Sequence, residues 1–135
     1  MIVYKDNLND VTPAMLTGYF VGWPNPPSPA KHLEILKNSQ YVFLAVETDT
    51  NKVVGFINAI SDRILSAYIP LLEVIPEYHG KGIGEELVSR MISKLKDFYM
   101  IDICCRKSHN MFYEKFGMRK YNFMIIRNFS KQNGI

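Results

Sequence analysis

Leu72-Glu73-Val74-Ile75-Pro76-Glu77-Tyr78-His79-Gly80-Lys81-Gly82-Ile83-Gly84-Glu85-Glu86-Leu87-Val88 joins an apolar strand to an amphipathic helix through three alternate glycines. Glycine admits positive φ and lets a ligand come close to the main chain, and the first N–H groups of a helix lack intrahelical partners, so a turn of this build can hold a phosphate. A merely tight connection would show the same glycines. Two phosphate motifs are excluded: the loop lacks the G-x-x-x-x-G-K-[ST] spacing of a nucleotide P-loop, and its G-x-G-x-G is not the dinucleotide fingerprint and opens no repeated βαβ unit.

The helix after the glycines keeps Ile83, Leu87, Val88, Met91, Ile92 and Leu95 on one face, with charged residues largely outside it. Its early Glu85 and Glu86 and late Lys94 and Lys96 complement the helix dipole. Residues 100–105 then read as a short buried strand, parallel to the previous one across the helical crossover. Upstream, residues 2–5 read as a first strand, and Asp10-Val11-Thr12-Pro13 opens a helix expected to run to about Phe20. Gly22-Trp23-Pro24-Asn25-Pro26-Pro27-Ser28-Pro29 is a stiff loop whose Ser28 caps a second helix ending near Asn38. Residues 41–47 and 52–60 form a hairpin about Thr48-Asp49-Thr50-Asn51, residues 65–75 make the next strand, and final strands are expected over residues 119–129.

Composition sets the outer bounds. A chain of 135 residues with eight Tyr and eight Phe suits one globular domain over residues 1–135. No apolar run approaches the roughly 20 residues of a membrane span, and Met1-Ile2-Val3-Tyr4-Lys5-Asp6 lacks a signal-peptide layout, so a cytoplasmic protein with no membrane partner is expected. Cys104 and Cys105 are adjacent, without metal-ligand or C-x-x-C spacing, and read as reduced structural thiols; no metal is implied. A net charge of +3 is too small to argue for nucleic acid. Lys52-Val53-Val54-Gly55-Phe56-Ile57 lacks the further aromatics of an RNA-binding sheet and is simpler as a buried strand.

His79-Gly80-Lys81-Gly82-Ile83-Gly84, with Val74-Ile75-Pro76 before it and a helix after it, resembles the acyl-CoA motif of the GNAT superfamily of N-acetyltransferases, (Gln/Arg)-x-x-Gly-x-(Gly/Ala), with His79 departing at the first position. A second stretch, Ser108-His109-Asn110-Met111-Phe112-Tyr113-Glu114-Lys115-Phe116-Gly117-Met118, is similar to that family's later element, in which Asn precedes an aromatic-Tyr pair and a glycine. The order of elements fits the family over nearly the whole chain. The resemblance implies a mixed α/β fold: a twisted sheet, mostly antiparallel, with a parallel pair of fourth and fifth strands, flanked by helices.

The resemblance also implies a function, N-acetyltransfer from acetyl-CoA to an amine by direct attack in a ternary complex. It places the cofactor against Val74, Ile75, residues 79–84, Asn110 and Tyr113. Tyr113 is then the group that protonates the departing thiolate, although Met111, Phe112 and Phe116 would also make a packing stripe. For the base, Glu73 is the candidate, since a carboxylate in an apolar strand is costly unless paired or functional; a structural ion pair is the competing reading, and Asp62 is better read as a turn residue. Phe20, Trp23, Asn25 and Tyr68 are candidate walls for the acceptor, a small-molecule or protein amine, and a homodimer is compatible with this reading. A non-catalytic acyl-CoA sensor and a general phosphate-binding fold are the alternatives.

Overall fold

The computed structural model describes residues 1–135. Alternating apolar residues and turn signals place five strands in one sheet in sequence order: β1 (Ile2–Lys5), β2 (Tyr41–Glu47), β3 (Lys52–Ser61), β4 (Ser66–Val74) and β5 (Met100–Ile103). All neighbours are antiparallel except β4 and β5, which are parallel and are joined by the helix α2 (Ile83–Lys94). The helix α1 (Pro29–Lys37) starts where Ser28 accepts the Lys31 N–H and Pro29 takes the first helical position, as the cap residues predict. A short α3 (Asn110–Glu114) follows β5.

The strand alternation feeds two cores, one on each face of the sheet. Ala45, Val54, Ile57 and Ile69 meet Leu87 and Met91 of α2 and Leu95 just past its end, while Leu44, Val53 and Phe56 meet Leu16 and the α1 residues Leu33 and Leu36 on the other side. Gly55 is required where α2 crosses β3. A Cβ there would sit 3.1 Å from both Ile83 Cγ2 and Leu87 Cδ1 and 3.3 Å from Val74 Cγ2, so the missing side chain sets how closely the glycine turn approaches the sheet.

Three sequence expectations are corrected. The helix expected from Pro13 to Phe20 is a single 3-10 turn, Pro13–Leu16, because Gly18, Phe20 and Gly22 take φ of +87°, +61° and +82° and turn the chain back repeatedly. The strand expected over residues 100–105 stops at Ile103 and is half-exposed rather than buried. The strands expected over residues 119–129 do not form: the stretch is irregular until a 3-10 turn at Phe129–Lys131, since none of the five strands lies alongside to complete a ladder.

Candidate active site

The site originates in a defect of β4. Asn58 pairs with Leu71 and Ile60 with Tyr68, so Ile69 and Pro70 together face the single residue Ala59, a bulge that bends β4. Pairing with β5 runs from Ser66–Met100 to Ile69–Ile103 and goes no further. Pro70 has no N–H to offer and β5 ends at Ile103, so beyond this point the two parallel strands diverge. The Ile75 N–H bonds Val54 O of β3 at 2.9 Å; by alternation the main-chain groups of Leu72 and Val74 point the other way, toward the opening.

At the end of β4 the chain enters the glycine turn. Gly80 and Gly82 hold φ of +76° and +78°, and a Cβ built on either would meet nothing within 4 Å, so conformation and not crowding selects glycine here. None of the N–H groups of residues 80–85 donates a hydrogen bond within the chain; the first of α2 to do so is Glu86, to Gly82 O at 3.1 Å. Six successive unpaired donors at a helix N-terminus, with no side chain over the two glycines, fit a pyrophosphate. The Lys81 ammonium lies beside them, 5.2 Å from the Tyr78 ring centroid. His79 turns back along the strand, its Nε2 2.6 Å from Val74 O, which ties the turn to the end of β4.

The split opens into a cleft of about 380 Å³. Pro70, Leu71, Leu72 and Glu73 form its β4 wall, Ile103, Cys104, Cys105 and Arg106 the opposite one, and Val21, Trp23 and Phe56 close one side while Tyr113 and His109 close the other. Glu73 is fixed by contacts far away in sequence: its Oε1 accepts the Phe20 N–H at 2.8 Å and its Oε2 the Val21 N–H at 3.2 Å. The competing ion-pair reading is not what holds it, for no Lys or Arg lies within salt-bridge distance of its carboxylate. Each oxygen accepts one of these bonds and keeps further acceptor capacity.

Tyr113 is 9% exposed and packs edge-on against Phe112 at 4.9 Å between ring centroids. Its hydroxyl finds no partner within the chain, and burial, with a smaller contribution from Cys105, pushes its pKa up to about 12, so it is a neutral donor at physiological pH. The thiol of Cys105, also raised by burial first and by Cys104 second, donates to Asn110 Oδ1 at 3.5 Å.

Of the residues singled out from sequence, Glu73, Trp23 and Tyr113 line one cleft, while Val74, Ile75 and residues 79–84 continue from the end of its β4 wall and are not part of the lining. Phe20 is buried behind Trp23, with ring centroids 4.9 Å apart, and reaches the site through its N–H. Asn25 lies outside the cleft lining, its N–H donating to Gln132 Oε1 at 3.0 Å, and Tyr68 stacks on Phe123 at 6.2 Å. Asn110 supports the wall from behind through Cys105. Asp62 is the turn residue expected: its Oδ1 accepts the N–H groups of Ile64, Leu65 and Ser66 at 2.9, 2.9 and 3.1 Å, and these bonds hold its carboxyl below the usual range. Sequence reasoning missed Arg106 and His109, whose only signal was two basic residues just before Asn110.

The family model described as the acetyltransferase (GNAT) family matches residues 8–118, and the chain belongs to that family. It is similar, at 43% identity, to a protein from Deinococcus radiodurans R1 described provisionally as an acetyltransferase. That match covers 99% of this chain and 93% of that one, with a TM-score of 0.95. A GNAT-family acetyltransferase from Streptococcus pneumoniae TIGR4 is 27% identical over 95% of this chain and 98% of its own, with a TM-score of 0.72. An uncharacterized N-acetyltransferase from Pyropia yezoensis is 28% identical over 103 residues, 74% of this chain; the match spans 59% of that relative's length.

Proposed function

We propose that the chain transfers an acetyl group from acetyl-CoA to a primary amine, both held at once in the cleft between β4 and β5. The observation that carries this reading is the set of six unpaired N–H groups at residues 80–85, in a turn that follows a β4 edge left unpaired beyond Ile69 and a cleft with Glu73 and Tyr113 among its walls.

The cofactor supplies an acyl thioester; the rest is the work of the chain. Residues 80–85 bind the pyrophosphate through their N–H groups, and the main-chain groups of Leu72 pair with the amide arm as an added strand would, the Val74 carbonyl being already engaged by His79 Nε2. The Val74 N–H, facing the cleft, is the donor for the developing oxyanion, a role worth roughly 3 kcal/mol where such donors have been removed. Glu73 takes a proton from the incoming ammonium, which is not nucleophilic until it loses one. Tyr113 donates a hydrogen bond to the leaving thiolate. With its own pKa near 12 against about 8.5 for a thiol, full transfer from the phenol is uphill by about 5 kcal/mol, so Tyr113 stabilises the sulfur charge while the proton that settles on sulfur comes from the amine. Trp23 and Val21 form an apolar wall suited to the carbon skeleton of an acceptor. One domain over residues 1–135 acting in the cytoplasm is the setting this reading assumes.

Calorimetry of the protein with acetyl-CoA, against CoA, ATP and NADH, tests the cofactor, and thiol release across an amine panel tests the transfer. CoA-selective micromolar binding followed by amine-dependent thiol release is expected. Binding without release for any amine would leave an acyl-CoA-binding module, and equal responses to all four nucleotides would remove CoA. In Tyr113→Phe, acetyl-CoA binding should persist while kcat falls by about 10- to 100-fold; unchanged turnover would take Tyr113 out of the mechanism.

A further inference from the structure

Arg106 is the one guanidinium in the lining of the cleft, and nothing in the chain neutralises it. No Asp or Glu comes within salt-bridge distance, and the arginines whose side chains donate hydrogen bonds within the chain are Arg90 and Arg127. Glu73 is in the same state on the opposite wall, held by two main-chain N–H groups and paired with no cation. The two residues line one cleft yet do not pair with each other. Opposite charges on facing walls, with space between them and apolar Trp23, Leu71 and Phe56 around them, form a receptor for a ligand that carries the complementary pair.

The face on which Arg106 lies separates it from the seat of the pyrophosphate. Along β4, Leu71 packs into the core under α1 whereas Leu72 and Val74 pack into the core under α2, so Glu73 shares the α1 face with Leu71. Along the last strand and its continuation, Ile101, Ile103 and Cys105 pack into the α2 core. Arg106 has an extended backbone, with φ of −65° and ψ of 147°, so alternation turns it to the α1 face with Glu73. The glycine turn opens α2, on the other face of the sheet. The phosphates of the cofactor therefore leave Arg106 free for a different anion.

Taking the transfer reaction proposed above as its basis, we infer that the acceptor is a small amine that also carries an acidic group, a carboxylate or a phosphate, with its ammonium toward Glu73 and its acid toward Arg106. The planar guanidinium presents paired N–H donors that match the oxygens of either acid. The 3-10 turn that follows, in which the His109 N–H bonds Arg106 O at 2.8 Å, brings the His109 imidazole to the same wall. The cleft of about 380 Å³ is near the lower end of the roughly 300–1,000 Å³ of ligand pockets, and the acetyl end of the cofactor shares it, so the acceptor is small. An acid anchored on one wall holds the amine at the other, against the base and the thioester, and the same guanidinium repels the second cation of a diamine.

Matched acceptors test this: phenylalanine against phenethylamine, phosphoethanolamine against ethanolamine, and putrescine as a dication. With acetyl-CoA, the parent should favour the acid-bearing member of at least one pair by about 10-fold or more in kcat/KM, mostly through KM, and should rank putrescine last. Preference in the first pair identifies a carboxylate, in the second a phosphate. Arg106→Gln should bring the ratio within about 3-fold of unity, and Arg106→Lys should restore part of it. Calorimetry of the acceptors with CoA-loaded protein reads the same preference without turnover. A parent that takes the acid-free amines as readily overturns the proposal and leaves the acetyltransferase reading standing. An Arg106→Gln variant that keeps the ratio and instead weakens acetyl-CoA binding by about 10-fold also overturns it, since Arg106 would then serve the cofactor. A parent that does not bind acetyl-CoA overturns both.

Discussion

His32 sits on α1 with no exposed surface, enclosed by Tyr19, Phe20 and Phe56 at ring-centroid distances of 5.1, 4.9 and 4.4 Å, and neither ring nitrogen has a hydrogen-bond partner. Burial lowers its pKa from 6.5 to about 4, so it is neutral in the fold. Between pH 4 and 6.5 the unfolded chain binds a proton that the folded chain does not, and stability therefore falls as pH falls through that window. The full loss is about 3 kcal/mol once pH is below 4, and about 2 kcal/mol is already lost at pH 5, a large share of the 5–15 kcal/mol typical of a domain. Replacing His32 by Leu fills similar space without a titrating group. Urea unfolding followed by circular dichroism at pH 8, 6 and 5 should show the parent falling relative to His32→Leu by about 2 kcal/mol between the ends of the series. At pH 8 the variant should be at least as stable, because it removes a buried donor and acceptor that only ring faces serve. Parallel curves for the two proteins would mean that the ring is not kept neutral, and the argument from burial would fall.

Four further outcomes follow from the site and its frame. Gly82→Ala places a Cβ at φ +78°; it should cost about 1–2 kcal/mol of stability and raise the acetyl-CoA dissociation constant by 10-fold or more, read by urea titration and calorimetry. Gly55→Ala must push against Ile83 and Leu87 at 3.1 Å; a loss of about 1–3 kcal/mol in thermal unfolding is expected, with the cofactor turn displaced and affinity reduced. Glu73→Gln can accept only one of the two N–H groups now held; it should lower kcat/KM by about 100-fold, and faster amide exchange at Phe20 and Val21 should show the loosened loop. Asp62→Ala loses three main-chain bonds remote from the cleft; it should lower the melting temperature while leaving the KM for acetyl-CoA unchanged.

The parts of this fold legible in the sequence are those decided by neighbours along the chain. The Ser28 cap, the period of α2 and the glycines at 80 and 82 each state their conformation within a few residues. Residues 13–20 misled because Gly18 looks tolerable in a helix, whereas the positive φ of Phe20 is imposed by a carboxylate 53 residues away. Residues 121–126 are rich in strand-forming residues, yet that composition says nothing about whether a partner strand is present, and no strand forms there. At the site, Glu73 was found by the cost of a carboxylate in an apolar strand, but its actual partners, two main-chain N–H groups, carry no side-chain signature. Arg106 and His109 are brought to the cleft by where β5 ends, which composition does not reveal. His32 passes for an ordinary helix residue until Tyr19, Phe20 and Phe56 close around it.

Pro70 fixes the divergence of β4 and β5 in covalent structure. A strand that merely frayed would zip and unzip, and a ligand would have to wait for the open form and surrender part of its affinity to hold it there. Here the main-chain donor needed to zip at Pro70 does not exist, so the slot stands open before anything enters it. Entry should then follow diffusion and charge, with a rate that rises linearly with cofactor concentration and no plateau from a prior opening step.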